Sequence, residues 1–457
     1  MPQSTRYVDF SSCRAAPQVA PARLSADRYT SAAFMAGEWG GIWTKAWLFA
    51  GVEEDVRWPG DYFLFEIGRE SIIVSRGEDG TLTALHNVCQ HRGNRILLGA
   101  RGAVNNFVCP YHGWTYALDG ALHHTPDKER FPPCTEWADR SLKRVRVGTW
   151  AGLVWITMDE SAPPLAEYLG TIIEDLAPYH FERMRLVKQQ TLHLAANWKT
   201  VRDNFLEQYH VDFIHPQHAS MVDCSNSQNE LYPFGHSSTS VKGFVTNPRY
   251  PIPSQVPDRL KVRLSHIGLD WRQFENKVPD IRAAACAQKR KIGAELGFGY
   301  DEFSDEQVTD VLQYDIFPNV FMTIRPEEVW IYGARPHPQD PDQCIFDKWT
   351  LQVPAEIAVD VTTGRNLGVD ENLLRVESDD RPEPEVFTRD MIESKEKTLG
   401  VTIDQDVFFL PYMQAGLHSR GFSHALLNMD EARIAHFHAW VDAWMSASPW
   451  PDKAAPR

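Results

Sequence analysis

A chain of 457 residues with 43% hydrophobic and 11% aromatic residues is long enough to bury a large core, ordinarily in two or three domains. Its formal charge of -15 argues against a nucleic-acid partner, which needs an excess of Lys and Arg to displace counterions. No run of about eighteen apolar residues occurs, so no membrane-spanning helix is expected. The opening MPQSTRYVDFSS lacks the basic-then-apolar order of a secretory signal. Seven scattered cysteines fit free thiols in a reducing cytoplasm better than a disulfide framework.

From Asp61 to Met158, the runs YFLFEI, SIIVS, TLTALHN and GLVWITM are rich in β-branched and aromatic residues and predict short strands. LDGAL at Leu118–Leu122 predicts a hairpin turn. DESAPP at Asp159–Pro164 marks a boundary by its charge and prolines. QTLHLA then reads as a strand running into NWKTVRDNFLEQYHVDFIH. There Trp198, Val201, Phe205, Tyr209 and Phe213 recur at helical spacing behind Asn197, a capping residue. Tyr209 is read as core. EVWIYGA and CIFDKWTLQV predict further strands, and a closing helix is expected from about Asp430 to Met445. Polar, Pro-rich stretches near Asn247–Pro257, Pro336–Pro341 and Asp379–Pro384 read as loops. The order implies an α+β chain: an all-β unit at 45–160, with 1–44 and 161–457 forming the second domain.

Two of the cysteines are each in step with a histidine: Cys89 with His91 in NVCQHRGNRI, and Cys109 with His112 in CPYHGW. Thiolates and imidazoles are ligands for borderline and soft metals. Structural zinc sites usually pair two Cys in one knuckle. One Cys and one His at each of two hairpin tips resembles the Rieske 2Fe-2S site, in which two Cys hold one iron and two His the other. A zinc knuckle is the alternative. Between His91 and Leu118 lie Arg92, Arg95 and Arg101 and no acidic residue, read either as a docking face for an acidic electron donor or as a solvated, charge-compensating face.

In the predicted helix Asp203, Glu207 and His210 fall at i, i+4 and i+7, along one face. Pro216 disfavours helical geometry in His215, so the helix should end there and let both imidazoles share a metal. Two His and one carboxylate form the facial triad of non-haem Fe(II) oxygenases.

The combination resembles the catalytic alpha subunit of the Rieske non-haem iron (aromatic-ring-hydroxylating) oxygenases. The likeness runs from WLFAG at Trp47–Gly51 through both constellations to FPN at Phe317–Asn319 and FHAW in the closing helix. It implies an all-β Rieske domain inserted near the N-terminus of a helix-grip (START-like) catalytic domain. By that resemblance His210 and His215 are iron ligands, and the third is an Asp standing eight residues before a Gln, as Asp406 stands before Gln414. Thr402 with Gln405 predicts a capping box that places Asp404 and Asp406 in a first helical turn, and Asp404 is the alternative ligand. Pro411 stands where many relatives carry Glu. Glu207 takes the place of the carboxylate that bridges a cluster histidine of one subunit to an iron-binding histidine of its neighbour, with Asp203 as substitute. A Glu there resembles a branch that includes carnitine oxygenases. Asn204 lies where the family often has an Asn beside the iron.

The resemblance implies electrons from NAD(P)H, passed by a separate ferredoxin or flavin reductase to the 2Fe-2S cluster and then to mononuclear Fe(II), where dioxygen meets a small organic substrate. It implies a homotrimer, with or without a beta subunit. The expected reaction is mono- or dihydroxylation of an aromatic or other small molecule. Oxidative demethylation or a carnitine-like quaternary-amine monooxygenation is the alternative within the family, and a Rieske electron carrier without catalysis the alternative outside it. YDIFPNVFMTI and VWIYGAR are expected to line the substrate pocket, and Arg335 is a candidate for meeting a substrate carboxylate.

Overall fold

The computed structural model describes residues 23–354, 358–360, 365–368 and 381–446. The chain divides into two compact units: Gly40–Ile173 is one, and the segments before and after it form the other. Among the described residues no helix is long and apolar enough to cross a membrane.

The smaller unit is all-β. Its strands are β1 (Leu48–Val52), β2 (Asp61–Ile67), β3 (Glu70–Arg76), β4 (Leu82–His86), β5 (Arg101–Ala103), β6 (Phe107–Val108), β7 (Thr115–Tyr116), β8 (Leu122–His124), β9 (Arg144–Trp150) and β10 (Leu153–Thr157). Seven form an antiparallel sheet in the order β1-β10-β9-β4-β3-β2-β5, and β6-β7-β8 form a second sheet. The LDGAL turn joins β7 to β8. Asp119 accepts a hydrogen bond from the Ala121 amide (2.9 Å), and Gly120 has φ +88°, with a Cβ there falling 2.7 Å from Leu85. Glycine is required on both counts. Tyr62, Ile73, Leu85, Phe107, Trp114 and Tyr116 are buried in one cluster with Cys89 and Cys109.

The larger unit is built on an eight-stranded sheet. Its strands are β11 (Arg185–Leu194), β12 (Val222–Leu231), β13 (Ser237–Gly243), β14 (Val311–Ile316), β15 (Val320–Arg325), β16 (Glu328–Pro336), β17 (Cys344–Gln352) and β18 (Glu385–Phe387). The order is β12-β13-β14-β15-β16-β17-β11-β18, antiparallel except for the β11–β18 pair. Helix α1 (Trp198–Phe205) packs on β16 and β17. Phe205 stacks on Phe321, Tyr332 and Phe346, its ring centroid 5.1, 5.4 and 5.8 Å from theirs. Buried ion pairs join Lys199 to Glu38 and Arg202 to Asp315, and the Arg202 guanidinium also donates to the Val320 carbonyl (2.8 Å). These contacts fix the helix from which the site hangs.

The helix expected to run from Asn197 toward His215 is interrupted. α1 ends at Phe205, and a separate short helix, α2, covers Val211–Ile214. The Glu207 carboxylate accepts the amides of Tyr209 and His210, which starts a new turn where the first helix would have continued. The expectation that Asp203, Glu207 and His210 share one helical face is therefore wrong. Tyr209 and Phe213 are 47% and 75% exposed, so Tyr209 is not core. α2 does end at His215 (φ -123°, ψ 54°), directly before Pro216.

The longer helices that follow are α3 (Asp258–His266), α4 (Ile281–Leu296), α5 (Val401–Leu417) and α6 (Ala432–Ser446), which closes the described chain. The capping box expected from Thr402 and Gln405 does not form, because α5 already starts at Val401 behind Gly400, which has φ +103°. Instead Asp404 reaches back to accept the Leu399 amide (2.8 Å) and the Thr398 hydroxyl (2.6 Å). The helix continues through Pro411. On α6, Trp444 stacks on Phe317 at 5.5 Å and Phe437 meets Trp198 edge-on at 5.7 Å. The expected loops at Asn247–Pro257 and beyond Pro336 are irregular, as are residues 381–384; Asp379 and Asp380 lie outside the described residues.

Candidate metal centres

In the smaller unit the two Cys/His tips share one backbone design. The Cys89 amide donates to the Asn94 carbonyl and the Gly93 amide to the Cys89 carbonyl; the Cys109 amide donates to Trp114 and the Gly113 amide to Cys109. Gly93 and Gly113 have φ +78° and +71°, a region that favours glycine. Both cysteines are 2% exposed, while His91 is half-buried and His112 exposed. The two Nδ1 atoms face each other at 3.1 Å. His91 stacks on Trp114 at 4.9 Å. The Tyr116 hydroxyl lies 3.3 Å from Cys89 Sγ and accepts the Gln90 amide (3.0 Å). Buried thiols on one side and outward imidazole nitrogens on the other fit a cluster with two Cys on the inner iron and two His on the outer.

In the larger unit His210, His215 and Asp406 offer ligand atoms that all lie within 4.8 Å of one another. His215 Nε2 is 2.9 Å, and His210 Nε2 3.6 Å, from Asp406 Oδ1. Each imidazole is held from behind: His210 Nδ1 donates to Glu207 Oε1 and His215 Nδ1 to Gln405 Oε1 (2.8 Å). With Nδ1 protonated, both Nε2 lone pairs face a carboxylate oxygen. Three acceptors aimed at one point fit a cation, and two His with one carboxylate fit iron with open positions. Asp406 is 2% exposed. Its rival Asp404 is turned away, toward Thr398 and Leu399.

These groups open onto a cavity of about 500 Å³. Its apolar wall includes Phe205, Phe321 and Tyr332, and Trp330 and Thr323 also line it, so residues from both expected pocket segments contribute. Asn204 lines it too, and its Nδ2 has no hydrogen-bond partner among the described residues. Cys224 is held as a thiol, burial and then Asp212 pushing it up to about 12. His218, hydrogen-bonded to the Thr402 hydroxyl at 3.0 Å, is kept neutral. Burial, then His215 and the guanidiniums of Arg259, Arg263 and Arg325, pushes it down to about 3.

Other predicted residues lie elsewhere. Asp203 accepts from the Tyr29 hydroxyl (2.6 Å) and from His438 Nε2 (3.1 Å) and does not line the cavity. The loss of the continuous helical face explains this. Arg335 is engaged by Asp347 through Nε (2.6 Å) and a terminal nitrogen (3.1 Å), so it does not meet a substrate. Arg95 is paired with Glu66 through two 3.0 Å bonds, and Arg92 sits over the Tyr111 ring at 5.5 Å. Sequence reasoning missed the roles of Gln405, His218 and Tyr116. Only Gln405 carried a signal, its place beside Asp406.

Residues 181–447 match the family described as ring hydroxylating alpha subunit (catalytic domain). The chain belongs to this family. Residues 46–144 match the Rieske 2Fe-2S domain. Glycine betaine monooxygenase oxygenase subunit of Pseudomonas aeruginosa is 36% identical over 176 residues, covering 38% of this chain and 41% of that protein. The chain thus spans about two fifths of that relative's length. A quaternary ammonium Rieske monooxygenase solved with L-carnitine matches at a TM-score of 0.62 and 20% identity, over 91% of this chain and 93% of the other. Naphthalene 1,2-dioxygenase with indole bound matches at 0.67 and 20%, over 94% and 93%. Both structural likenesses are of fold: a Rieske domain set in an α+β catalytic alpha subunit.

Proposed function

We propose that this chain is the terminal oxygenase component of a Rieske-type system, a monooxygenase acting on a small organic molecule of the betaine type. The observation that carries the reading is the convergence of His210, His215 and Asp406 within 4.8 Å at the wall of a 500 Å³ cavity, in a chain that also has the Cys89, His91, Cys109 and His112 site. Iron held by the triad would supply redox chemistry on dioxygen, and a 2Fe-2S cluster on the other four would feed it electrons. The protein's own part is to fix both imidazole tautomers through Glu207 and Gln405 and to present an apolar wall to the substrate.

Glu207 is the proposed route for electrons between subunits. It accepts three N–H groups, from His210 Nδ1 and the amides of Tyr209 and His210, and a carboxylate has about four lone-pair sites. One remains for a cluster histidine of a neighbouring copy. The proposed assembly is a homotrimer, with or without a beta subunit, served by a separate ferredoxin or flavin reductase that draws on NAD(P)H. The named activity of the glycine betaine relative favours a quaternary amine over an aromatic hydrocarbon.

The test is a metal count followed by turnover. Anaerobically reconstituted chain should hold about three irons and two acid-labile sulfides, and with a surrogate reductase and NADH should place an atom of labelled dioxygen in its product. Only about two irons per two sulfides would mean an electron carrier; zinc without sulfide would mean a structural site.

A further inference from the structure

We infer that Arg259 and Arg263 form a carboxylate clamp, so that the substrate is a small organic acid or zwitterion rather than a bare cation or a hydrocarbon. The inference deepens the oxygenase reading of this cavity and rests on it. The charged residues on the cavity wall are Glu207, Asp406, Arg259, Arg263, Arg325 and Lys348. Glu207 and Asp406 are turned to the two histidines. Arg325 is paired with Glu328 at 2.6 Å, and Lys348 Nζ donates to the Leu399 carbonyl at 2.5 Å. Arg259 and Arg263 form no ion pair with a carboxylate among the described residues; Glu328 and Glu327, which act on Arg263 from farther off, are already paired with Arg325 and Lys289.

Their placement is built by the helix. Arg259, Val262 and Arg263 are the cavity-lining residues of α3, at i, i+3 and i+4, which is one face of a helix. Two guanidiniums one turn apart can hold both oxygens of one carboxylate, each through a planar fork of donors. Burial, then the Arg325 charge, pushes Arg263 down to about 9, a lowering that Glu328 and Glu327 only partly offset. Both guanidiniums also act on His218, whose ring centroid is 5.6 Å from that of His215. The clamp therefore lies on the wall beside the metal ligands, and a short molecule held there reaches them with its other end.

The aromatic wall argues in the same direction. A quaternary ammonium alone would seek the face of Trp330, the best ring for a cation. That ring already faces Arg325 and Lys348, each at 5.0 Å. A lone cation entering the cavity meets four positive side chains and two engaged carboxylates, whereas a molecule with a carboxylate brings the missing counter-charge.

The experiment is equilibrium binding by calorimetry to the anaerobically reconstituted full chain, with two matched pairs: glycine betaine against choline, and benzoate against benzyl alcohol. In at least one pair the acid should bind roughly ten- to hundredfold more tightly than the alcohol. The preference should vanish in Arg259→Gln/Arg263→Gln and be partly restored in Arg259→Lys/Arg263→Lys, with iron and sulfide content retained as the check on folding. No preference in either pair, no saturable binding by either acid, or a preference that survives the double Gln change overturns the clamp. Acid preference without oxygen-dependent turnover of any compound would sink the oxygenase reading and leave the clamp standing; turnover of the alcohols with no acid preference would do the reverse.

Discussion

His215 and Gln405 meet through a 2.8 Å hydrogen bond between Nδ1 and Oε1, and the residue after Gln405 is Asp406, whose carboxylate faces the other nitrogen of the same ring. One turn of α5 thus grips an imidazole from both sides. Gln405 Oε1 is itself held by the Gln217 amide at 2.6 Å, so its orientation is defined. Removing such an outer partner typically costs 10- to 100-fold in metal affinity. Gln405→Leu should weaken iron binding by about that factor while the visible spectrum of the cluster stays unchanged. Competition with a chelator, read by iron content, checks it; unchanged retention of iron would mean that Asp406 and the backbone orient His215 unaided.

The two metal centres should separate on mutation. His210→Ala removes a ligand from the triad and leaves Cys89, His91, Cys109 and His112 in place, so the mononuclear iron should be lost and the red-brown cluster kept. Glu207→Gln should hold both metals but leave the second iron unreduced after the cluster has been reduced, because an amide cannot accept N–H groups at both of its terminal atoms. Freeze-quench spectroscopy after a single reducing equivalent distinguishes the outcomes, and normal reduction of the second iron would place the route elsewhere.

Much of this site was legible in the sequence because its parts are local. A Cys and a His two or three residues apart, glycines at the tips and period-two strands specify the cluster loops without tertiary information. Pro216 ends a helix at His215 by a steric effect on its neighbour, visible in the text of the chain. What was not legible depended on side chains competing with the backbone. Glu207 reads as one more helix-former, yet its carboxylate takes two backbone amides and breaks the helix, which separates Asp203 from His210 and exposes Tyr209. The Thr402–Gln405 pair has the spelling of a capping box, but Gly400 begins the helix earlier and both side chains serve histidines instead. The Arg259–Arg263 pair looks like an ordinary solvated helix face until the fold turns it toward a cavity.

Tyr116 gives a prediction about potential. Burial, then Cys89, pushes its pKa up, so the hydroxyl keeps its proton and can donate to Cys89 Sγ, 3.3 Å away. A donor to a cluster sulfur favours the reduced, more negative state. Losing a hydrogen bond of about 1 kcal/mol corresponds to a drop of roughly 40 mV for one electron. Tyr116→Phe should shift the midpoint of the visible cluster signal downward by that order in a redox titration. An unchanged or raised midpoint would show that this hydroxyl does not act on the cluster.

His436 gives a prediction about acid stability that is independent of both metals. It lies on α6 with no exposed surface. Its Nε2 is 3.0 Å from the Tyr232 carbonyl and 3.1 Å from that of His236, so Nε2 carries the hydrogen. Nδ1 is buried with no hydrogen-bond partner among the described residues, so a proton there would be a buried donor without an acceptor, on a ring that the Arg433 charge also opposes and the two carbonyls only partly support. Burial accordingly pushes the pKa down to about 4 from 6.5. Between those values the unfolded imidazole binds a proton and the native one does not, so stability falls as pH falls across that window. The full shift corresponds to about 3 kcal/mol, complete near pH 4 and absent above about pH 7. His436→Gln keeps an N–H for the carbonyls but cannot titrate. In urea unfolding at a series of pH values, the variant should lose less stability on acidification than the parent by about that amount, since carboxylates elsewhere titrate in both. Parallel pH profiles for the two proteins would mean that His436 is already protonated in the native state, or that the unfolded chain holds it equally neutral.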